Sequence, residues 1–288
     1  MNDKKILACI DPRGNTDAVI DWAAWAALRL AAPLEFLHVL ERHPERADSA
    51  DLSGAIGLGA QEALLQQLSD DDARRSLLQR ESGRELLAHA RSRAGAAGVT
   101  QLDARLRHGD LVETAIELQA EANLFVLGEH RHSGAAVARG AEHHLEQVIR
   151  GVAGSSVLVA STEHFAAPQR SVLAFDGSPS ARKALAAVAS HPLLAGLPVL
   201  VARVGADSAA SRSSLDEAAA LLTAAGVTVQ TQRLDGEPQQ ALPALVKAQA
   251  SSLLVMGAYG HSRLRQWLRG RLTTSLLRLS EVPALILR

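Results

Sequence analysis

The chain has 288 residues, of which 47% are hydrophobic and 21% charged, and its formal net charge at pH 7 is -1. A chain of this length and apolarity can bury the core of one or two domains, which excludes a disordered protein. The nearly neutral charge and the lack of a long apolar stretch give no reason to expect nucleic acid or a membrane as a partner.

The first half opens on an apolar run, Lys5 to Ile10, that stops at Asp11 and predicts a strand. No signal peptide or membrane-spanning stretch is visible in the sequence before it, so we expect none. The single cysteine, Cys9, excludes an intrachain disulfide and fits a reducing compartment. We therefore expect a cytoplasmic protein.

A helical pattern from Ala18 to Leu30 and an apolar strand from Leu34 to Leu40 come next. A long insert follows, from about residue 43 to 79. It contains a helical pattern from Glu62 to Leu68 and the acidic run Asp70 to Asp72, which suits a helix N-terminus. We interpret the insert as a surface elaboration with its own short helix; a lid over a site or a partner-docking element is the alternative.

The rest of the first half continues the alternation of helices and strands. Gly109 and Asp110 precede a predicted helix that ends near Leu118, and strands are predicted from Leu124 to Gly128 and from Ser156 to Ala160. Polar residues and Pro168 then interrupt the pattern. We place a domain boundary there, between a first domain of residues 1–163 and a second of residues 168–288.

The second half repeats the order of the first. Its predicted elements are a strand from Ser171 to Asp176, a helix from Ala181 to Ala189, a strand from Pro198 to Val204, a helix after Pro238, and strands from Leu253 to Gly257 and from Ala284 to Leu287. Strands that alternate with helices, and that read as apolar runs, are typical of parallel sheets covered on both faces. The sequence therefore predicts two α/β domains of the same kind.

One glycine pattern in the second half points to a ligand. The strand that ends at Gly257 is followed by Gly260 and, after nine further residues, by Gly270 at the start of a helical pattern. Glycines let the backbone approach an anion closely, and the following helix directs its N-terminal N–H groups at the same place. This spacing predicts a phosphate cradle.

The same glycine spacing, with Asp176 at the end of the first strand, resembles the universal stress protein family over nearly the whole chain, as two tandem copies. The resemblance implies two Rossmann-like domains of the adenine nucleotide alpha hydrolase type, each a mostly parallel five-stranded sheet. In that family the glycine motif marks the members that bind ATP. Domains of the family pair through their last strands, which implies a pseudo-dimer within this chain, and a homodimer of chains stays open.

The resemblance also assigns roles to individual residues. Asp176 would lie near the adenine and ribose, Gly257 and Gly260 would let the loop wrap the nucleotide, and Gly270 would open the helix that receives the phosphates. The complete set of implied nucleotide-binding residues is Asp176, Val204, Met256, Gly257, Gly260, His261, Arg263, Gly270, Arg271, Leu272 and Thr273. The implied cofactor is ATP, with which Mg²⁺ often travels.

One position departs from the family pattern. Ser or Thr usually follows the last glycine, and here the residue is Arg271, although Thr273 could supply a hydroxyl. Arg263, Arg265, Arg269 and Arg271 could together neutralise a triphosphate, because each guanidinium can bind bidentately. A solvated basic loop is the alternative interpretation of these arginines.

The first half looks degenerate as a nucleotide site. It keeps Asp11 and Gly128, but Arg131 stands where the second glycine of the loop would be. We therefore predict that only the second half binds nucleotide and that the first acts as a scaffold or a regulatory partner.

Other residues have simpler explanations than chemistry. His130, His132, His143 and His144 are interpreted as surface histidines rather than metal ligands, since no cysteine or carboxylate completes a set. Cys9 is expected to be a buried, inert thiol, and Asp11 a helix N-cap. Trp22 and Trp25 are expected to pack in the core or between domains.

These observations favour an ATP-binding protein that senses or signals stress, with slow hydrolysis at most and an unknown protein partner. A nucleotide-free interaction module of the same fold is the alternative. Transfer of a nucleotidyl or phosphoryl group is a third hypothesis, by analogy of fold alone. The P-loop, the dinucleotide-binding glycine motif and the nucleophile elbow are all missing from the sequence.

Overall fold

The structure is a computed structural model that describes residues 4–12, 14–40, 58–128, 138–249, 252–257 and 283–288. The first half contains, in chain order, β1 (Lys5–Cys9), α1 (Thr16–Leu30), β2 (Leu34–Leu40), α2 (Leu58–Ala96), β3 (Leu102–His108), α3 (Leu111–Leu118), β4 (Ala122–Gly128), α4 (Ala138–Gly151) and β5 (Ser156–Ala160).

The second half repeats this order over its described residues. It contains β6 (Arg170–Ala174), α5 (Pro179–Ser190), a 3₁₀ turn (Pro192–Leu194), β7 (Val199–Val204), α6 (Ala209–Ala224), β8 (Val229–Leu234), α7 (Pro238–Ala248), β9 (Ser252–Gly257) and β10 (Ala284–Leu287). The alternation of strands and helices predicted from the sequence is confirmed in both halves.

All ten of the described strands belong to one sheet, in the order β3-β2-β1-β4-β5-β10-β9-β6-β7-β8. Strands within each half are parallel, and the halves join where β5 and β10 pair antiparallel, with Ala284 opposite Val159 and Ile286 opposite Val157. The predicted pairing through the last strand of each half is therefore confirmed. Because this pairing is antiparallel, the carboxyl ends of the strands in the two halves lie at opposite edges of the sheet.

Helices cover both faces of the sheet, as the apolar strand sequences require. The buried side chains of α1, α2, α5 and α6 form one apolar cluster, and those of α3, α4 and α7 form another on the opposite face. Fully buried residues such as Ile6, Phe36 and Leu173 lie on the first face, and Leu7, Leu37 and Phe125 lie on the second.

Two local predictions about helix starts are wrong. Asp70 to Asp72 lie inside α2, which runs unbroken for 39 residues, so they do not mark an N-terminus, and the helical pattern from Glu62 to Leu68 belongs to this longer helix. The N-cap of α1 is Asn15 rather than Asp11, whose carbonyl accepts hydrogen bonds from the Gly14 N–H and the Thr16 hydroxyl instead.

The helix α1 packs against the segment that joins the halves, as expected for its tryptophans. Trp22 is 1% exposed and makes edge-to-face contacts with Trp25 at 5.2 Å and with Phe165 of the connecting segment at 4.9 Å. Arg29 lies over the Trp25 ring and donates a hydrogen bond to the carbonyl of Ala195 in the second half. The predicted role of both tryptophans in packing is confirmed.

None of the helices within the described ranges combines the length and apolarity that a bilayer-spanning helix requires.

Candidate functional site

The second half brings several of the predicted site residues to one edge of its sheet. β6 lies between β7 and β9, and all three run parallel. Asp176 follows the end of β6, Val204 ends β7 and Gly257 ends β9. After β6 the chain forms β7 on one side of β6, and it later forms β9 on the other side. The carboxyl end of β6 is therefore a topological switch point, the place where open α/β sheets bind ligands.

The turn after β6 is built by short polar residues. The Asp176 carboxylate is exposed and accepts a hydrogen bond of 2.9 Å from the Ser178 N–H. The Ser178 hydroxyl caps α5 by accepting from the Ala181 N–H, and Pro179 occupies the first turn of the helix. Gly177 has a φ of +76°, a conformation that side chains disfavour. These contacts fix the position from which Asp176 faces solvent.

Gly257 allows a helix to approach the end of β9 closely. A Cβ atom on this residue would lie 2.9 Å from the carbonyl oxygen of Ser180 and 3.2 Å from the Cβ of Ala184, both on α5. The first half has the same arrangement, since a Cβ on Gly128 would lie 2.8 Å from a methyl of Val19 on α1. Glycine at this position therefore has a packing role in each half that does not depend on a ligand.

Replacing Gly257 by alanine is expected to lower the free energy of unfolding by about 1–3 kcal/mol, because the added methyl group overpacks the contact with α5. Urea unfolding followed by circular dichroism would measure the change. Gly154→Ala is the matched control, because a Cβ there meets nothing within 4 Å and the residue has no positive φ. Equal stability of the two variants would contradict this interpretation of Gly257.

The corresponding edge of the first half is bridged by the chain itself. Asn15 occupies the N-cap position of α1, but its side-chain amide makes no capping hydrogen bond. Its Nδ2 donates to the carbonyl of Ala160 at 2.9 Å, at the end of β5, and to that of Thr162 at 2.6 Å, just beyond it. Its Oδ1 would lie only 2.7 Å from a Cβ on Gly128. The Asn15 side chain thus passes over the end of β4, where the second half has no described side chain in the same role.

The other residues implied by the resemblance fall into two groups. Met256 is 5% exposed and, with the partly buried Val204, packs into the apolar core on the α7 side of the sheet. The remaining ones lie outside the described residues: Gly260, His261, Arg263, Gly270, Arg271, Leu272 and Thr273.

Cys9 and the histidines offer no reactive centre in the described part of the chain. Cys9 is buried as expected, and burial raises the pKa of its thiol to about 12, so the thiol stays protonated and unreactive. His130 and His132 lie outside the described residues. No three His, Cys, Asp or Glu side chains within the described ranges are grouped as a metal site.

Sequence reasoning missed two residues at these edges. One is Asn15, and the other is Arg203, whose Nη1 is buried against Gly177 without a hydrogen-bond partner among the described residues. A charged residue directly before the end of the otherwise apolar strand β7 was the signal available for Arg203. The sequence carried no comparable signal for Asn15, because its side chain bonds to carbonyls that are 145 and 147 residues away.

Comparison with known families gives the same result in both halves. The family model described as the universal stress protein family matches residues 3–159 and again residues 169–288. A universal stress protein of Synechocystis sp. is 30% identical over 292 residues, which covers 99% of this chain and 100% of the relative.

Solved structures share the fold over the full length. A universal stress protein from Archaeoglobus fulgidus DSM 4304 has a TM-score of 0.70 and 18% identity, with 100% of this chain and 97% of that chain covered. One described as a putative universal stress protein, from Pseudomonas aeruginosa UCBPP-PA14, has a TM-score of 0.60 and 19% identity, with 99% and 92% covered. These two structures support the tandem arrangement of the fold.

Proposed function

This chain belongs to the universal stress protein family, and from that premise we propose that it is an ATP-binding member that acts in stress sensing or signalling. The nucleotide is held by the second half. The observation that carries the proposal is that the strand ends with Asp176, Val204 and Gly257 lie at the switch point of that half, and that in the sequence the glycine motif follows Gly257.

The exposed Asp176 carboxylate suits the nucleoside end of the ligand. It lies at the carboxyl edge of the sheet on a turn held by hydrogen bonds, and a carboxylate accepts hydrogen bonds from ribose hydroxyls. The loop residues Gly260, Gly270 and Thr273, with Arg263 and Arg271, would hold the triphosphate. Bound Mg²⁺ would neutralise part of the phosphate charge.

Only one nucleotide per chain is expected. In the first half the Asn15 amide bridges the equivalent edge to Ala160 and Thr162, and it makes two hydrogen bonds that a ligand would have to replace. In the second half Ser178 keeps its hydroxyl on its own helix, which leaves this edge without such a bridge among the described residues. The first half then serves as a scaffold through the β5–β10 pairing.

The role of this site is recognition rather than turnover. Asp176 lies at the nucleoside end, away from the terminal phosphate, so it is not placed to activate a water for attack there. We expect hydrolysis of ATP to be slow at most. We also expect the bound nucleotide to change which protein partner the chain binds.

Denaturing the purified protein and identifying the released nucleotide by mass spectrometry tests this function. We expect about one ATP per chain, and an affinity at least about ten-fold weaker in Gly260→Val, because side-chain bulk would block the approach of the backbone to phosphate. Gly154→Ala, at an open surface position, is the control and should bind normally.

Each other result would change the conclusion. Two nucleotides per chain would contradict the closed first half. No nucleotide on purification, and none taken up at millimolar ATP, would reject the ATP proposal and favour the interaction module. Rapid hydrolysis that is lost in Asp176→Ala would indicate an enzyme.

A further inference from the structure

Arg203 occupies an unusual position at the carboxyl edge of the second half. It is the penultimate residue of β7, directly before Val204, and its side chain reaches under the turn that carries Asp176. The Nη1 atom would lie 2.7 Å from a Cβ on Gly177, so the guanidinium end of the side chain packs against this turn. The charge of Arg203 is therefore held beside the proposed nucleotide site.

Among the residues that the structure describes, the neighbouring arginines are paired with carboxylates and Arg203 is not. Arg182 pairs with Glu217 at 2.5 Å, Arg212 pairs with Asp207 at 2.5 Å, and Arg233 pairs with Asp235. These three arginine–carboxylate pairs lie around the carboxyl edge of the second half. Among the described residues, Arg203 has no carboxylate partner, and its Nη1 is shielded from solvent without an acceptor.

The guanidinium group of Arg203 is partly buried and has no carboxylate partner among the described residues. Its positive field extends toward the edge through partly buried surroundings, where screening by water is weaker than in bulk. An anion bound at this edge would supply a negative charge that the described residues do not provide for Arg203.

We propose that Arg203 is a specificity-determining residue that makes the second half favour phosphorylated adenosine over neutral adenosine. The inference rests on the proposed nucleotide-binding function and deepens it. Arg203 acts through its charge rather than by direct contact, since its Nη1 is covered by the turn at Gly177. The gain in affinity therefore depends on the charge of the ligand.

Titration calorimetry with adenosine, AMP and ATP tests this inference on the full chain. In Arg203→Gln we expect ATP to bind about three- to ten-fold more weakly and adenosine to change by less than about two-fold, as a single charge acting at a distance requires. Arg203→Lys keeps the charge and should bind ATP within about two-fold of the unmodified protein. Arg212→Gln, which removes an exposed and paired arginine, is the matched control and should leave all three affinities unchanged.

The outcomes separate this inference from the function on which it rests. An equal loss for adenosine and ATP in Arg203→Gln, or the same loss in Arg203→Lys, would mean that Arg203 only supports the turn, and would overturn the inference. Normal ATP binding by Arg203→Gln would overturn it too, while leaving the nucleotide function intact. If the unmodified protein binds none of the three ligands, both proposals fail together.

Salt dependence gives a second readout that a purely structural role would not change. ATP affinity of the unmodified protein should fall as ionic strength rises, because salt screens the attraction between charges. We expect a shallower dependence in Arg203→Gln and an unchanged one in Arg203→Lys. An identical dependence in the unmodified protein and Arg203→Gln would count against an electrostatic role.

Discussion

Replacement of Trp22 by alanine is expected to lower the free energy of unfolding by about 3–5 kcal/mol, the usual cost of truncating a fully buried large aromatic residue. Trp22 is among the largest fully buried side chains of the described chain, and its ring contacts Trp25 on the same helix and Phe165 between the halves. Truncation would leave a cavity at the junction of α1 with the connecting segment. Urea unfolding followed by circular dichroism would measure the loss.

Two further variants make this result specific. Trp22→Phe keeps an aromatic ring in the cavity and should be clearly less destabilised than the alanine variant. Leu78→Ala removes an apolar side chain that is 63% exposed, and should change stability by less than about 0.5 kcal/mol. A loss below about 1 kcal/mol in Trp22→Ala would show that this junction contributes little to stability.

The second large effect is expected at Glu35, which is 1% exposed and is the centre of a charge network at the amino ends of β1 and β2. Its carboxylate contacts the Lys5 ammonium at 2.5 Å and the Arg105 guanidinium at 2.6 Å. Glu35→Ala would leave two partly buried cations facing each other. We expect a loss of about 3 kcal/mol, because removing one partner of a buried ion pair leaves uncompensated charge.

Glu121 provides the matched control, since it contacts the same two cations from the surface. Its side chain is 44% exposed and lies 2.6 Å from Lys5 and 3.5 Å from Arg105. Glu121→Ala should cost less than about 1 kcal/mol, as exposed ion pairs do. If both substitutions cost the same in urea unfolding, burial is not what makes Glu35 important.

The pH dependence of this network has a defined sign. The hydrogen bond from Lys5 is the main cause that lowers the pKa of Glu121 from its ordinary value of 4.5. Between the two pKa values the folded protein therefore binds fewer protons than the unfolded one. The contribution of Glu121 to the free energy of unfolding is complete above pH 4.5, and it is lost as the pH falls through the lower pKa of the folded state. Glu121→Ala should remove this part of the acid dependence.

The accuracy of the sequence-based predictions depended on where each element lies in the sheet. Strands in the interior, such as β2 and β10, were predicted to the residue because they read as mostly apolar runs, as strands buried on both faces do. The outermost strands β3 and β8 gave no clear signal, because an edge strand carries polar residues on its partly solvated faces. The helix α2 was divided wrongly because an acidic run resembles a helix start even when it lies in the middle of one.

The sequence by itself determined the fold class and the tandem repeat through local periodicity, and its glycine and aspartate spacing carried the resemblance to the family. These are properties of short segments, and the pairing of the last strands followed from that resemblance. Only the tertiary structure decided that Asn15 bridges the edge of the first half, that Glu35 joins two cations, and that Arg203 has no described carboxylate partner. These features depend on side chains that the fold brings together from distant segments, and no local pattern encodes which of them meet.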